Sequence, residues 1–270
     1  MKHAIYQMDV EVLDPATNRK KIREWAEYQI AETNPDTIVL PEMWNAGYAL
    51  DQLEEAADQK LQPTYDFLSH LAWSYQVNII GGSVANQQED GIYNSNLVFN
   101  RKGEQVHQYD KMHLVPMLDE PKYLQGGNNR AELFELDHVK MGVVICYDLR
   151  FPELMRSLTL QGAEVIYVVA QWPAARRNHW TYLLHARAIE NQCYIVSCNS
   201  SGECNGTQFA GESLVIDPLG ELVADGPAQA EATIHAEVDL EKVRDTRKQI
   251  PVFESRVPKL YDNHWGKHDA

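Results

Sequence analysis

The chain has 270 residues, enough for one large domain or two small ones around a sizeable core. Its 39 acidic residues outnumber 24 lysines and arginines, and the formal charge of −15 repels nucleic acid and anionic membrane surfaces; no apolar run of about 18 residues and no charged-then-apolar leader suggests a membrane span or a signal peptide. Four cysteines, without a C-x-x-C pair or zinc-type histidine spacing, suit free thiols in a reducing cytosol, so no disulfide framework, metal or other cofactor is expected.

Residues 4–10 (AIYQMDV) read as a first strand, and Ile22, Trp25, Ala26 and Ile30 recur at helical spacing after it. A short buried strand at 38–40 ends against Pro41 and delivers Glu42 at its carboxyl tip, as a functional group or as a solvated loop acid. Pro63 opens a helix whose buried stripe is Phe67, Leu68, Leu71 and Tyr75. LVFN and EQVHQYDK, joined by Arg101, Lys102 and Gly103, form an antiparallel hairpin with Lys111 at the end of its second strand, where a lysine is ordinarily a rim charge. The loop over 109–127 mixes aromatic, apolar, proline and acidic residues and reads as a pocket wall.

In the stretch 141–154 (MGVVICYDLRFPEL) an apolar run ends abruptly. Val143, Val144 and Ile145 make a buried strand, Cys146 sits at its edge, and Pro152 suits the first turn of a helix. A second buried strand at 164–170 completes a strand, helix, strand unit with Cys146 at the carboxyl end of its first strand, where such units bind ligands. By position alone Cys146 reads more readily as a small core hydrophobe. Beyond it, a helix after QWP buries Trp180, Leu184, Ala188 and Asn191, with Arg187 turned partly inward as a structural tie. His179 and His185, six apart there, do not share a face as metal ligands would. Residues 193–199 form a buried strand, 209–226 a hairpin turning at Pro218 and Gly220, and ATIHAEVDL another strand; a charged helix then runs from Asp239 to near Pro251. This alternation points to a mixed α/β domain with helix-covered sheets.

Glu42 in LPEMW, Lys111 in YDKMHL and Cys146 in ICYDLRFPEL each follow a strand. In that order, and with the later QWP, ARAIENQ and GESLVIDPLGE stretches, the sequence resembles the nitrilase superfamily of carbon–nitrogen hydrolases, in its bacterial omega-amidase-like branch, over nearly its whole length. The resemblance implies a four-layer αββα sandwich, a single domain over 1–270 with a tail from about 251, and a Glu42, Lys111, Cys146 triad. The family's second glutamate maps onto Glu120, six residues before Gly126, with Asp119 as its rival neighbour. Glu42 would accept the thiol proton, Lys111 and the backbone N–H of Tyr147 would hold the oxyanion, and Glu120 would orient Lys111 or the amide.

Arg150 is expected either on a substrate carboxylate or in an ion pair with Glu153 or Asp148, with Arg176 and Arg177 as further candidates. Trp44, Tyr48 and Trp172 would wall the pocket or belong to the core. The activity implied is cleavage of the terminal carboxamide of a small dicarboxylic acid monoamide, 2-oxoglutaramate or 2-oxosuccinamate, through a cysteine thioester. Deaminated-glutathione amidase and N-carbamoyl amino acid hydrolase are the alternatives within the superfamily, nitrile hydrolysis comes last, and a non-catalytic binding module is the alternative outside enzymes. The partners implied are a small-molecule amide and a second copy of the chain, as a homodimer or larger homo-oligomer, in the cytoplasm.

Overall fold

A computed structural model describes residues 1–261. The first half of the chain runs β1 (Lys2–Gln7), α1 (Pro15–Thr33), β2 (Thr37–Val39), β3 (Asp58–Gln59), α2 (Thr64–Tyr75), β4 (Asn78–Ile80), β5 (Val84–Gln88), β6 (Gly91–Phe99) and β7 (Gln105–Asp110). The second half continues with α3 (Glu120–Tyr123), β8 (Phe134–Leu136), β9 (Val139–Ile145), α4 (Pro152–Leu160), β10 (Val165–Ala170), α5 (Arg177–Asn191) and β11 (Tyr194–Asn199). It closes with β12 (Glu203–Cys204), β13 (Thr207–Gln208), β14 (Leu214–Ile216), β15 (Leu222–Asp225), β16 (Ala232–Glu237) and α6 (Leu240–Gln249). The first strand stops at Gln7 rather than Val10 because Met8 and Asp9 leave the sheet, and the Met8 carbonyl accepts from the Ser201 N–H at 2.9 Å. The strand β5, VANQQ, was not anticipated, since its last three residues are polar and show no alternation. Of the expected tail, 262–270 lies outside the described residues.

One sheet has the order β16-β1-β2-β4-β6-β5-β3, with β7 also on β6, and the other β15-β14-β11-β10-β9-β8. The period of two along each strand sorts its side chains between two cores. Ile5, Val39, Ile80 and Val98 pack with Val143, Ile145 and Val168 of the second sheet. Their chain neighbours Ala4, Ile38, Ile79 and Leu97 pack instead with Ile22 and Ala26 of α1 and Leu68 and Leu71 of α2. On the second sheet Leu154 and Leu158 of α4 and Trp180 and Leu184 of α5 join the cluster of β9 and β10. Gly142 lets α4 come this close, since a Cβ there would lie 2.9 Å from the Leu158 side chain. The layers are therefore helix, sheet, sheet, helix, as expected. Each buried Val, Leu or Ile contributes about 1.5–3 kcal/mol.

Strand direction places the site. β1, β2 and β4 are parallel, as are β9, β10 and β11, and β7 is antiparallel to β6, which is itself antiparallel to β4. Hence β7 runs with β2 and β4, and residues 42 and 111 follow strands that end on the same edge. Glu42 of the first sheet bonds Gln171 of the second, so residue 146 meets them there.

Two histidines are desolvated by this packing, His3 fully and His107 in part. His3 lies between the sheets with Nε2 3.0 Å from the Tyr167 hydroxyl, and burial lowers it to about 4. His107 packs its ring 5.1 Å from Phe134 and is lowered to about 4 by burial as well. Both are neutral in the fold, whereas an unfolded chain binds their protons near pH 6.5, so their contribution is complete above that value and lost as pH falls toward about 4. We expect denaturant unfolding to show a loss of about 2 kcal/mol per histidine between about pH 7.5 and 5. In His107→Phe the slope over that window should become shallower, and an unchanged slope would exclude this origin.

Candidate active site

β9 ends at Ile145, and Cys146 takes φ 48° at the head of a 3-10 turn over Cys146–Arg150 that runs into α4. This is the strand-to-helix turn expected, held in a left-handed conformation that costs a non-glycine residue about 1 kcal/mol. Asp148 accepts the Ile145 N–H at 3.1 Å, and Arg187 fastens the far side, its Nε and Nη2 donating to the Leu149 carbonyl at 3.1 and 2.9 Å. The cysteine is 5% exposed, at the base of a cavity of about 500 Å³.

Glu42 is fully buried, not a solvated loop acid. Its Oε1 accepts from Asn94 Nδ2 at 2.8 Å and Lys111 Nζ at 2.9 Å, and its Oε2 accepts from the Gln171 N–H at 2.7 Å. Gly82, at φ 61°, makes the turn possible: a Cβ there would lie 2.0 Å from the Pro41 carbonyl oxygen. Lys111, just past β7, is also fully buried and donates to Glu120 Oε1 at 2.8 Å, so one ammonium sits between two carboxylates. Glu120 accepts the Val115 N–H on Oε2 at 2.6 Å and the Tyr48 hydroxyl on Oε1. Asp119 is exposed and pairs with Lys122 at 2.8 Å, which leaves Glu120 as the buried acid of the two.

Burial and then the Glu42 charge push the Cys146 thiol well up, against the pull of Lys111. The sulfur therefore rests protonated and needs a base before it can attack. Burial alone would lower Lys111, but Glu42 and then Cys146 hold it above the ordinary lysine range. Glu120 is pushed up to about 9 by burial and the Glu42 charge, with the Val115 N–H opposing. A neutral Glu120 leaves the Lys111 and Glu42 charges balanced, the state a fully enclosed cluster favours.

Arg150, Trp172 and Arg176 line the cavity with Cys146, and Tyr147 follows Cys146 into it with its N–H in the first turn of the 3-10 segment, where no intrahelical acceptor exists. The Arg150 guanidinium lies 4.7 Å from the Trp172 ring and 5.6 Å from the Tyr147 ring, and no carboxylate pairs with it among the described residues. The expected alternative of an ion pair with Asp148 or Glu153 does not form, because both Asp148 oxygens are occupied by other donors. Arg176 stands exposed at the rim, while its carbonyl accepts from Trp172 Nε1 at 2.9 Å.

Two expectations change, for Arg177 and Tyr48, and for Trp44 the core alternative holds. Arg177 turns away from the cavity to Glu212 at 3.3 Å. Trp44 is core, donating from its indole to the Gly81 carbonyl at 2.8 Å beneath α2. Tyr48 reaches the buried acids from behind and borders an adjoining cavity of about 240 Å³ rather than the main one. Asn94, Gln171 and the β12–β13 hairpin, whose Thr207 and Gln208 line the cavity, were not anticipated. For the hairpin, Asn205-Gly206 is a turn signal in the sequence. Gln171 follows β10 as Glu42 follows β2, but nothing local marks Asn94.

Residues 2–248 match the family described as carbon-nitrogen hydrolase. The chain is 51% identical over 227 residues to "Hydrolase in agr operon" from Staphylococcus lugdunensis, covering 84% of this chain and 97% of that one. It is 40% identical over 255 residues to "2-oxoglutaramate amidase" from Bacillus subtilis, covering 94% and 97%. The crystal structure of Saccharomyces cerevisiae Nit3, a member of branch 10 of the nitrilase superfamily, superposes with a TM-score of 0.87 at 28% identity, covering 95% of this chain and 96% of that one.

Proposed function

The chain belongs to the carbon-nitrogen hydrolase family, with the nitrilase superfamily fold and an enzyme's action on amides, and from this premise we propose that Cys146, Glu42, Lys111 and Glu120 are its catalytic residues. The observation that carries the reading is the single buried ammonium held between two buried carboxylates beside a thiol at a cavity base. Glu42 accepts the thiol proton as sulfur attacks the amide carbon, and the oxyanion is held by Lys111 and the Tyr147 N–H. The intermediate collapses when protonated Glu42 gives its proton to the departing ammonia, leaving a thioester on Cys146. Glu42 then takes a proton from water as it attacks the thioester, and the acid and free thiol are released. Glu120 keeps Lys111 aimed at the oxyanion position.

The substrate we propose is a small dicarboxylic acid monoamide, 2-oxoglutaramate or 2-oxosuccinamate. Its support is Arg150, a guanidinium facing the cavity with no carboxylate partner among the described residues, together with the name carried by the Bacillus subtilis relative. Trp172 would wall the site against the substrate chain, Arg176 would add charge at its rim, and Tyr48 would act through Glu120 and through Lys111, whose Nζ donates to its hydroxyl at 3.4 Å. Glu42, Lys111 and Cys146 follow strands of two sheets that share one core, which favours one domain. Four free thiols favour the cytoplasm, and fractionation elsewhere would overturn that; no helix among the described residues is long and apolar enough to cross a membrane. Exposed Tyr182 and Ile189 on α5, with Ile189 against Gly220 of the turn between exposed Leu219 and Leu222, favour pairing with a second copy.

Ammonia release from a panel of 2-oxoglutaramate, succinamate, deaminated glutathione, an N-carbamoyl amino acid and a simple nitrile tests the reading. We expect kcat/KM of about 10⁴ M⁻¹s⁻¹ or above on 2-oxoglutaramate. Arg150→Ala should raise KM for the carboxylate-bearing amide about 30-fold and leave a simple aliphatic amide unchanged. A preference for deaminated glutathione or an N-carbamoyl amino acid would overturn the substrate, and equal KM changes for both amides would overturn the role of Arg150. Light scattering on the same preparation should return at least about twice the 30.8 kDa of one chain, and a monomer would refute the pairing.

A further inference from the structure

We propose that Asp148 is a positioning residue whose carboxylate locks the loop carrying Lys111 onto the turn carrying Cys146; this rests on the amidase reading above. Asp148 is fully buried and does not line the cavity. Its Oδ2 accepts the Ile145 N–H at 3.1 Å and the Tyr109 hydroxyl at 2.9 Å. Its Oδ1 accepts the His113 backbone N–H at 3.1 Å and lies 2.8 Å from His113 Nδ1, within hydrogen-bond distance. Ile145 immediately precedes Cys146, while Tyr109 and His113 stand two residues to either side of Lys111. One side chain therefore bridges the two segments that hold the sulfur and the cation.

The surrounding contacts reinforce that register. The His113 ring stacks on Phe151 at 3.6 Å and 10°, and Phe151 ends the turn that Cys146 begins. The Tyr109 hydroxyl, while donating to Asp148, accepts the Met112 N–H at 3.3 Å, which ties it to the residue after Lys111. A carboxylate this deep costs several kcal/mol to desolvate, and its donors compensate only while the two segments keep their present alignment. Asp148 stands outside the cavity, which leaves it no part in moving protons to or from the substrate. Its charge also favours the Lys111 ammonium, and Lys111 in turn eases ionisation of the Cys146 thiol. A loosened clamp should thus lower turnover and thiol reactivity together without touching the substrate carboxylate.

The test compares the full-length wild type with Asp148→Asn and Tyr109→Phe. Asparagine keeps the shape but turns an NH₂ toward one of the present donor pairs. We expect kcat to fall about 100-fold with KM within about threefold of wild type, as for a reacting group displaced by about 1 Å. Alkylation of Cys146 by iodoacetamide in the native protein should slow about tenfold or more. Tyr109→Phe, which removes one bond and keeps the charge, should lose about fivefold in kcat. A merely structural Asp148 would lower the melting temperature and leave kcat per folded molecule and the alkylation rate unchanged, and that outcome overturns the proposal. If Asp148→Asn does not fold, Tyr109→Phe decides by the same kcat against KM comparison. Alkylation needs no substrate, so a wild type that releases no ammonia from any amide would sink the amidase reading while the clamp is still judged by thiol reactivity.

Discussion

Cys146→Ala is expected to end amide turnover while the protein stays folded. If sulfur forms the bond to the amide carbon, nothing else in the cavity can replace it, and the loss should be on the order of 10⁶-fold in kcat, as when a nucleophile is removed from a preorganised site. The fold should notice little. The side chain lost is small, and alanine meets the same left-handed φ that cysteine already occupies, so the cost in stability is about 1 kcal/mol or less. Ammonia release and a thermal melt on the same sample check both halves. Turnover within tenfold of wild type would refute the thioester route outright, and a melt lowered by tens of degrees would show that Cys146 serves the core instead.

Lys111→Met should damage activity and stability together. The Glu42 charge would be left in an enclosed space beside neutral Glu120 with no cation, and removing one partner of a buried ion pair costs about 3–5 kcal/mol. The oxyanion would lose its strongest donor, worth about 10²–10³-fold in kcat. The pH dependence has a definite sign. A carboxyl whose folded pKa is raised above its unfolded value binds its proton more tightly in the fold, so the stability deficit of Lys111→Met relative to wild type should shrink as pH falls and widen as it rises. Urea unfolding at several pH values reads this directly. Lys111→Arg separates the effects, since the charge survives but the planar fork does not fit the site of a point cation. A Lys111→Met protein as stable as wild type at about pH 8 would exclude the shared-cation arrangement.

The expectations that held concern residues whose neighbours in sequence decide their fate. A buried strand in a parallel sheet is a continuous apolar run whose end is visible where the run stops, so Glu42 and Cys146 could be placed at strand tips without knowing what they meet, and Lys111 by the glycine-containing turn of its antiparallel hairpin. Resemblance supplied the second acid, and of Asp119 and Glu120 only Glu120 is buried. What was not legible depends on partners far along the chain. Gln171 matters because its N–H faces Glu42 across the two sheets, and Asn94 because β6 brings it beside the same carboxylate. Arg177 looked like Arg176 until Glu212 was found beside it. Trp44 could not be told from Trp172 by type, since both are large aromatics near strand ends and both are buried; α2 packs over the first, while the second also borders the cavity.

The pairing of β1 with β16, from Lys2 against Glu237 to Gln7 against Ala232, has a consequence for biosynthesis. A ribosome releases the chain in order, so β1 emerges long before its antiparallel neighbour exists. At about 5–20 residues per second, the intervening segment takes roughly 12–46 seconds to synthesise. Throughout that interval one margin of the first sheet carries unpaired backbone groups, the kind of margin on which strands of other nascent chains can add. The newborn protein therefore passes through a stage in which its opening strand is available to neighbours on the same polysome, and synthesis of the final strand ends it.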